Sequence, residues 1–326
     1  MEQYTNLNNR APIERLPTEL LHKIFFQCLE INLPRASIHL ASALSNQTIY
    51  TWLTRLAFAS NNPSSKTGIF TYPFLPLDYH SLNTTQRAEL QTEILKCRWC
   101  TTPLFRRCQR EYVEHILATK CSSLIMSPQD RAQLNNLDHF WQTMNRFDVS
   151  PHGRRGRGDL TIPARDPITD EPLKITIWFN FGAVQIREPS PLFHETDLFR
   201  LPCSSSLTEP ARMPDKLLEP PWTAEKLELL ILLSSEAYID LDDGFERSKG
   251  ILRRLIQERD FDTFQRFLSM HLRVKLYGYP LRWPVRPNHF RLAARCAESD
   301  DDPFLRLLFD QRREDIPVAD KSIRAL

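Results

Sequence analysis

Four thiols lie close together in this chain, Cys97, Cys100, Cys108 and Cys121, with His115 between the last two. Thiolates and an imidazole are what a tetrahedral zinc site uses, and Cys97-x-x-Cys100 has the spacing of half of one. On that chemistry the protein would be a zinc-dependent nucleic-acid binder. Packing offers a simpler account. Cys97 continues the row Leu90, Ile94 at helical spacing, and Cys108 falls one turn after Leu104 and one before Tyr112, where small core residues belong. There is no second Cys-x-x-Cys and no glycine to shape a zinc knuckle. The expectation is therefore Cys97 and Cys108 in the core with no metal and no cofactor, the four-thiol site standing as the alternative.

Three other clusters invite chemistry. His152-Gly153-Arg154-Arg155-Gly156-Arg157-Gly158 is basic and glycine-rich, but without interleaved aromatics it fits a solvated loop better than a nucleic-acid clamp. Asp240-Leu241-Asp242-Asp243-Gly244 has the flavour of a calcium loop. Its glycine is fifth rather than sixth and its twelfth residue is Ile251 rather than glutamate, so a turn at the end of a helix is expected. Lys96, Arg98, Arg106, Arg107 and Arg110 read as the wet face of a helical pair. The chain has no Gly-x-x-x-x-Gly-Lys, Gly-x-Ser-x-Gly or His-Glu-x-x-His. The expectation is a binding protein and not an enzyme.

With 42 Lys+Arg against 40 Asp+Glu, interspersed for a formal net charge of +2, no long-range field draws the chain toward nucleic acid or a membrane. The stretch Met1 to Asn6 carries no signal-peptide pattern, and the richest apolar run, Leu227 to Leu233, is broken by Glu228 and too short to span a bilayer. An odd count of 7 cysteines fits a reducing compartment. A cytoplasmic or nuclear protein is expected. Its 24 prolines against 8 glycines gather in clusters that read as ordered, extended connections between elements.

Among those elements the first is the plainest. From Leu16 to Leu29, Pro17 suits a first helical turn, and Leu20, Leu21, Ile24, Phe25, Cys28 and Leu29 recur at the spacing of one wide apolar stripe. Further helices are expected over Pro34 to Leu44, with Ala36, Leu40, Ala41 and Leu44 inward, and over Gln47 to Phe58, with Ile49, Trp52, Leu53 and Leu56 inward. Breaks are expected near Asn32-Leu33 and Ser45-Asn46, because Pro34 can start a helix but not continue one, and Ser45 and Asn46 are good N-caps.

Leu16-Pro17-x-Glu19-Leu20-Leu21-x-x-Ile24-Phe25 resembles an F-box, with Leu29 and Leu33 at matching apolar places and Asn32 where Asp is common. The run Ile31-Asn32-Leu33-Pro34-Arg35-Ala36-Ser37-x-His39-Leu40 looks like that of F-box-like proteins of filamentous fungi, a similarity extending along the chain. The resemblance implies a substrate-receptor subunit of an SCF-type cullin-RING ubiquitin ligase. Leu16, Pro17, Leu20, Leu21, Ile24, Phe25 and Leu33 would dock on a Skp-type linker, and the remainder would hold an unknown target protein. A helical scaffold that buries these residues in its own core is the rival.

Downstream, a proline-marked loop over 61–80 precedes helices from Thr84 or Thr85 to Cys97 and across Leu104 to Leu117, expected to pair as a hairpin. A further helix opens at Ser127-Pro128, with Leu134, Leu137, Trp141 and Met144 inward. The period then becomes two: Leu173, Ile175, Ile177, Phe179 and Phe181 alternate with Lys174, Thr176, Trp178 and Asn180, a strand flanked by Asp159 to Pro163 and Ala183 to Arg187 in an antiparallel meander. Helices resume over Ala224 to Tyr238, Ser248 to Gln257 and Asp262 to Leu272. Ile251-Leu252-x-x-Leu255-Ile256 with Phe264-x-x-Phe267-Leu268, echoed by His289 to Ala294 with Phe304 to Leu308, resembles two degenerate ankyrin helix pairs, although the offset from Phe264 to Phe304 exceeds the norm of about 33. The expected fold is mainly α (α+β): a trihelical unit over 11–60, a helical region over 61–150, a small sheet over 151–200, and helical hairpins over 201–326 packed as one body with the middle.

Overall fold

The computed structural model describes residues 11–60, 74, 82–144, 146–147, 158–190, 198–204, 209–299, 301–320 and 323. The fold is mainly helical with small sheets, the α+β class expected, and it divides into two compact units, residues 1–145 with 151–205 and residues 146–150 with 206–326. The segments 11–60, 61–150 and 151–200 thus fall largely in the first unit, and 201–326 mostly in the second. The 61–80 loop, Phe74 apart, and the basic segment up to Arg157 lie outside the described residues.

In the first unit, a 3-10 turn over Pro12–Arg15 leads into α1 (Thr18–Cys28), a second turn over Leu33–Arg35 leads into α2 (Ile38–Leu44), and α3 (Gln47–Phe58) follows. The breaks fall where expected, with one difference. Pro34 sits in the 3-10 turn, and α2 starts later because Ser37 is its N-cap, its Oγ accepting from the Leu40 N–H at 3.2 Å. Ala36 is therefore exposed rather than inward. Asn46 caps α3 in the same way, accepting from Ile49 N–H at 3.0 Å. Leu29 ends α1 in the left-handed region, at φ 49°.

The pivot of this unit is α3, on which both α4 (Thr84–Lys96) and α5 (Thr102–Lys120) pack as their main helical neighbour, instead of forming a hairpin with each other. Polar side chains make that arrangement. Arg87 Nε and Gln91 Nε2 donate to the Ala57 carbonyl at 2.8 and 2.7 Å, satisfying the last turn of α3 where no intrahelical partner exists. The single helix expected after Ser127 is two, α6 (Pro128–Leu134) and α7 (Asp138–Thr143), with Leu134, Leu137 and Trp141 buried.

The meander is β1 (Leu160–Arg165), β2 (Pro172–Trp178) and β3 (Ala183–Arg187), joined by a short β4 (Leu198–Arg200) that the alternation does not reveal, all antiparallel in the order β1-β2-β3-β4. Its helical cover is α5, packed on β3 and β4. Thr176, Trp178 and Asn180 are buried although their alternation puts them on the open face; Arg106 binds Asn180 through the backbone oxygen at 2.8 Å and Oδ1 at 3.1 Å.

The second unit alternates strands with helix pairs: β5 (Ala211–Arg212), α8 (Asp215–Leu218), α9 (Ala224–Leu233), β6 (Ala237–Asp240), α10 (Glu246–Glu258), α11 (Phe261–Ser269), β7 (His271–Val274), β8 (Leu281–Arg282), α12 (Pro287–Arg295) and α13 (Pro303–Arg312). The strands β5, β6 and β7 lie parallel and adjacent, with β8 antiparallel at the edge. Since parallel neighbours need a crossover, α8 with α9 serves as one between β5 and β6, and α10 with α11 as the other between β6 and β7. Within the helices, α10 packs on α11 and α12, and α13 packs on α12 and α11, so the two expected pairs stack. Two expected helices are too long. Ala237–Asp240 and His271–Val274 are strands, since short apolar runs are shared by both structures and only pairing decides between them.

A buried histidine locks α12 to α10. The Nδ1 of His289 accepts from the Arg286 N–H at 3.0 Å, and Nε2 donates to the Lys249 carbonyl at 3.1 Å, a pattern only the neutral ring can make. Burial holds its pKa below the ordinary 6.5; the Lys249 carbonyl opposes this, and the charges of Arg253, Arg286 and Lys249 reinforce it. The unfolded chain thus binds a proton more readily than the folded one, so this stability is full above about pH 6.5 and is lost as pH falls through the lower folded value. Unfolding free energy measured from pH 7.5 to 5 should decline, and the slope should flatten in a His289→Gln variant; equal slopes would contradict the assignment.

Candidate functional site

Helix α1 carries two adjacent apolar rows, one covered and the other partly open to solvent. Leu21 and Phe25 are each 1% exposed and Phe26 is also buried, with the Phe26 ring 5.6 Å from Trp52 of α3 at a tilted angle. This inner row is fixed further by the His22 ring, whose Nε2 lies 3.0 Å from the Ala43 carbonyl near the end of α2. The other row is wet. Leu20 is 43% and Ile24 39% exposed, and Cys28, one turn on, is exposed too; with Pro17 they occupy i, i+3, i+7 and i+11 on one side of the helix. Leu16 and Leu33 are half-buried, and exposed Glu19 and Lys23 flank the row.

The seven residues expected to dock therefore separate. Leu21 and Phe25 are core of their own unit, because a helix of this length cannot turn both rows to a partner and still be anchored. Pro17, Leu20 and Ile24 face out, with Leu16 and Leu33 at the margin. Cys28, which the spacing merges into one wide stripe, belongs to the outer row. At the first position of α2, Ile38 is 91% exposed and was missed, since an isolated apolar residue at a helix start carries no periodic signal. An exposed isoleucine alone is ordinary; an exposed row at helical spacing on an anchored helix is a surface that can be covered by a partner.

The thiols behave differently. Cys97, Cys100, Cys108 and Cys121 are all buried, and among the described residues no group of three or more His, Cys, Asp and Glu could hold a metal ion. Burial pushes the Cys108 and Cys121 thiols up to about 12. Cys97 Sγ donates to the Glu93 carbonyl at 3.4 Å within its own helix.

The basic cluster beside them is internally engaged, Lys96 to Glu93 at 2.6 Å, Arg107 to Glu111 at 3.6 Å and Arg110 to Glu114 at 2.8 Å. The acidic run at Asp240 is the turn from β6 into α10 rather than the end of a helix, and Asp240 accepts from the Arg247 N–H at 2.8 Å. No helix among the described residues is long and apolar enough to cross a membrane.

No protein-family model matches the chain, and no curated protein or solved structure matches it.

Proposed function

We propose that the protein is an F-box-like adaptor, the substrate-receptor subunit of an SCF-type ubiquitin ligase, which docks a Skp-type linker on the outer row of α1 and holds a target protein elsewhere. The observation that carries this reading is the exposure of Pro17, Leu20 and Ile24 on a helix whose adjacent row, Leu21 and Phe25, is tied into the core. The rival scaffold needs Leu16, Pro17 and Leu20 to lie under other parts of the chain, and Pro17 and Leu20 are instead in solvent. Sequence resemblance supplies the identity of the partner; exposure supplies its access.

Each apolar side chain covered by a partner contributes roughly 1.5–3 kcal/mol. A Leu16→Ala, Pro17→Ala double variant should therefore bind the linker at least about tenfold more weakly, with its unfolding midpoint lowered only by what half-buried Leu16 contributes. Lost stability together with no linker binding by the parent protein would reject the ligase reading in favour of the scaffold.

A further inference from the structure

Three arginines converge on one cavity of the second unit, and none of the described residues lining it is a carboxylate. The cavity is about 550 Å³, within the range that small organic ligands occupy. Helix α12 supplies Asn288, Arg291, Leu292 and Arg295, which fall at i, i+3, i+4 and i+7 and so present one face to it, while α10 supplies Arg253. Leu292, 8% exposed, and half-buried Ala294 form apolar lining, with Ile323 fully covered beneath.

The three guanidiniums are not equally engaged. Arg291 is paired with Asp320 and donates to Asn288 Oδ1 at 3.0 Å. Arg253 and Arg295 are exposed and have no hydrogen-bond or ion-pair partner among the described residues. Positive charge without compensation around one concavity repels itself, and its influence reaches the interior, where Arg253 adds to the burial that keeps His289 neutral. A bound anion would relieve both effects.

Guanidinium is a planar fork that matches phosphate oxygens two at a time. A phosphate monoester near neutral pH carries close to two charges and three acceptor oxygens, enough for two forks at once, which a single carboxylate cannot offer. The apolar lining beside the arginines has no use in holding a bare ion. We propose that this cavity binds a phosphate monoester with an apolar body, the phosphate taken by Arg253 and Arg295 and the body lying on Leu292 and Ala294. The inference rests on the cavity alone and stands apart from docking by α1.

Titration calorimetry on the full chain tests it with phenyl phosphate, inorganic phosphate, and a phosphoserine peptide beside its unphosphorylated form. Phenyl phosphate should saturate and bind more tightly than inorganic phosphate. An Arg253→Gln, Arg295→Gln double variant should weaken it by at least about tenfold, since charged hydrogen bonds to both forks are lost. Its unfolding midpoint should stay at the parent value, because neither side chain has a partner to lose.

Arg254→Gln, one residue along α10 and outside the cavity, should leave affinity unchanged, and the His289 ring should titrate at higher pH in the complex. Tighter binding of the phosphopeptide than of phenyl phosphate assigns the ester to a protein partner, and the reverse order assigns it to a free compound. No saturable binding by any probe overturns the proposal, as does binding that survives the double change or falls equally with Arg254→Gln.

Discussion

A Phe25→Ala protein is expected to lose about 3–5 kcal/mol of stability, while Ile24→Ala, one position away, should lose about 1 kcal/mol. The physical ground is the split of α1 into rows. Phe25 is buried beside Phe26, their rings 5.6 Å apart edge to face, so truncation leaves a cavity lined by residues that cannot close over it. Ile24, 39% exposed, stands at the solvent edge, and its truncation removes less that folding buries. Denaturant unfolding of the two single variants measures both numbers. Equal losses would mean that the outer row is also covered, and the docking surface would disappear with it.

The second large effect belongs to the other unit. Trp283 follows β8 directly, is fully buried, donates from Nε1 to the Ser248 carbonyl at 3.2 Å, and meets the Phe267 ring edge to face at 4.8 Å. One side chain thus joins the edge strand to α10 and α11. Trp283→Ala should cost about 3–5 kcal/mol, and Trp283→Phe a smaller amount, of which the lost bond to the Ser248 carbonyl, itself held within α10, accounts for about 0.5–1.5 kcal/mol. Because the chain is built of two units, unfolding should be followed by probes in each, and only the transition of the second unit should move by the full amount. A change confined to the first unit would contradict the division of the chain.

Much of this architecture is legible from spacing and caps. Gln47 to Phe58 reads as a helix because Asn46 can cap it and Ile49, Leu53 and Leu56 share a face, and α3 has those bounds. The meander is readable because Ile175 and Ile177 alternate between turns that can reverse the chain. What spacing does not carry is which of two adjacent rows faces inward. Leu20, Ile24 and Cys28 are neighbours of Leu21 and Phe25 at about 100° per residue, so one broad buried stripe and two rows of which only one is covered look alike until packing separates them.

Parallel pairing is equally hidden. Ala237–Asp240 and His271–Val274 are four residues each, and each continues an apolar helical pattern; the strand state comes from bonds such as Arg273 N–H to the Ser234 carbonyl at 3.0 Å, made across distant sequence. The first helix pair, α8 with α9, escapes notice because α8 is a single turn after Pro214. The arginine cavity was equally unreadable, since Arg253 and Arg295 meet only once α10 and α12 are packed together.

The outer row of α1 ends in an exposed thiol, and that thiol reports directly on the central claim. Cys28 should be alkylated readily in the free protein, well ahead of Cys108 and Cys121, whose thiols burial pushes up to about 12. The decisive measurement is the alkylation rate of Cys28, read by mass spectrometry, as purified Skp-type linker is titrated to saturation, with Cys296 as the internal reference. The account predicts that Cys28 is shielded in proportion to complex formed while Cys296 reacts at its original rate. A Cys28 rate that stays constant at saturating linker, or the absence of any complex, would contradict it.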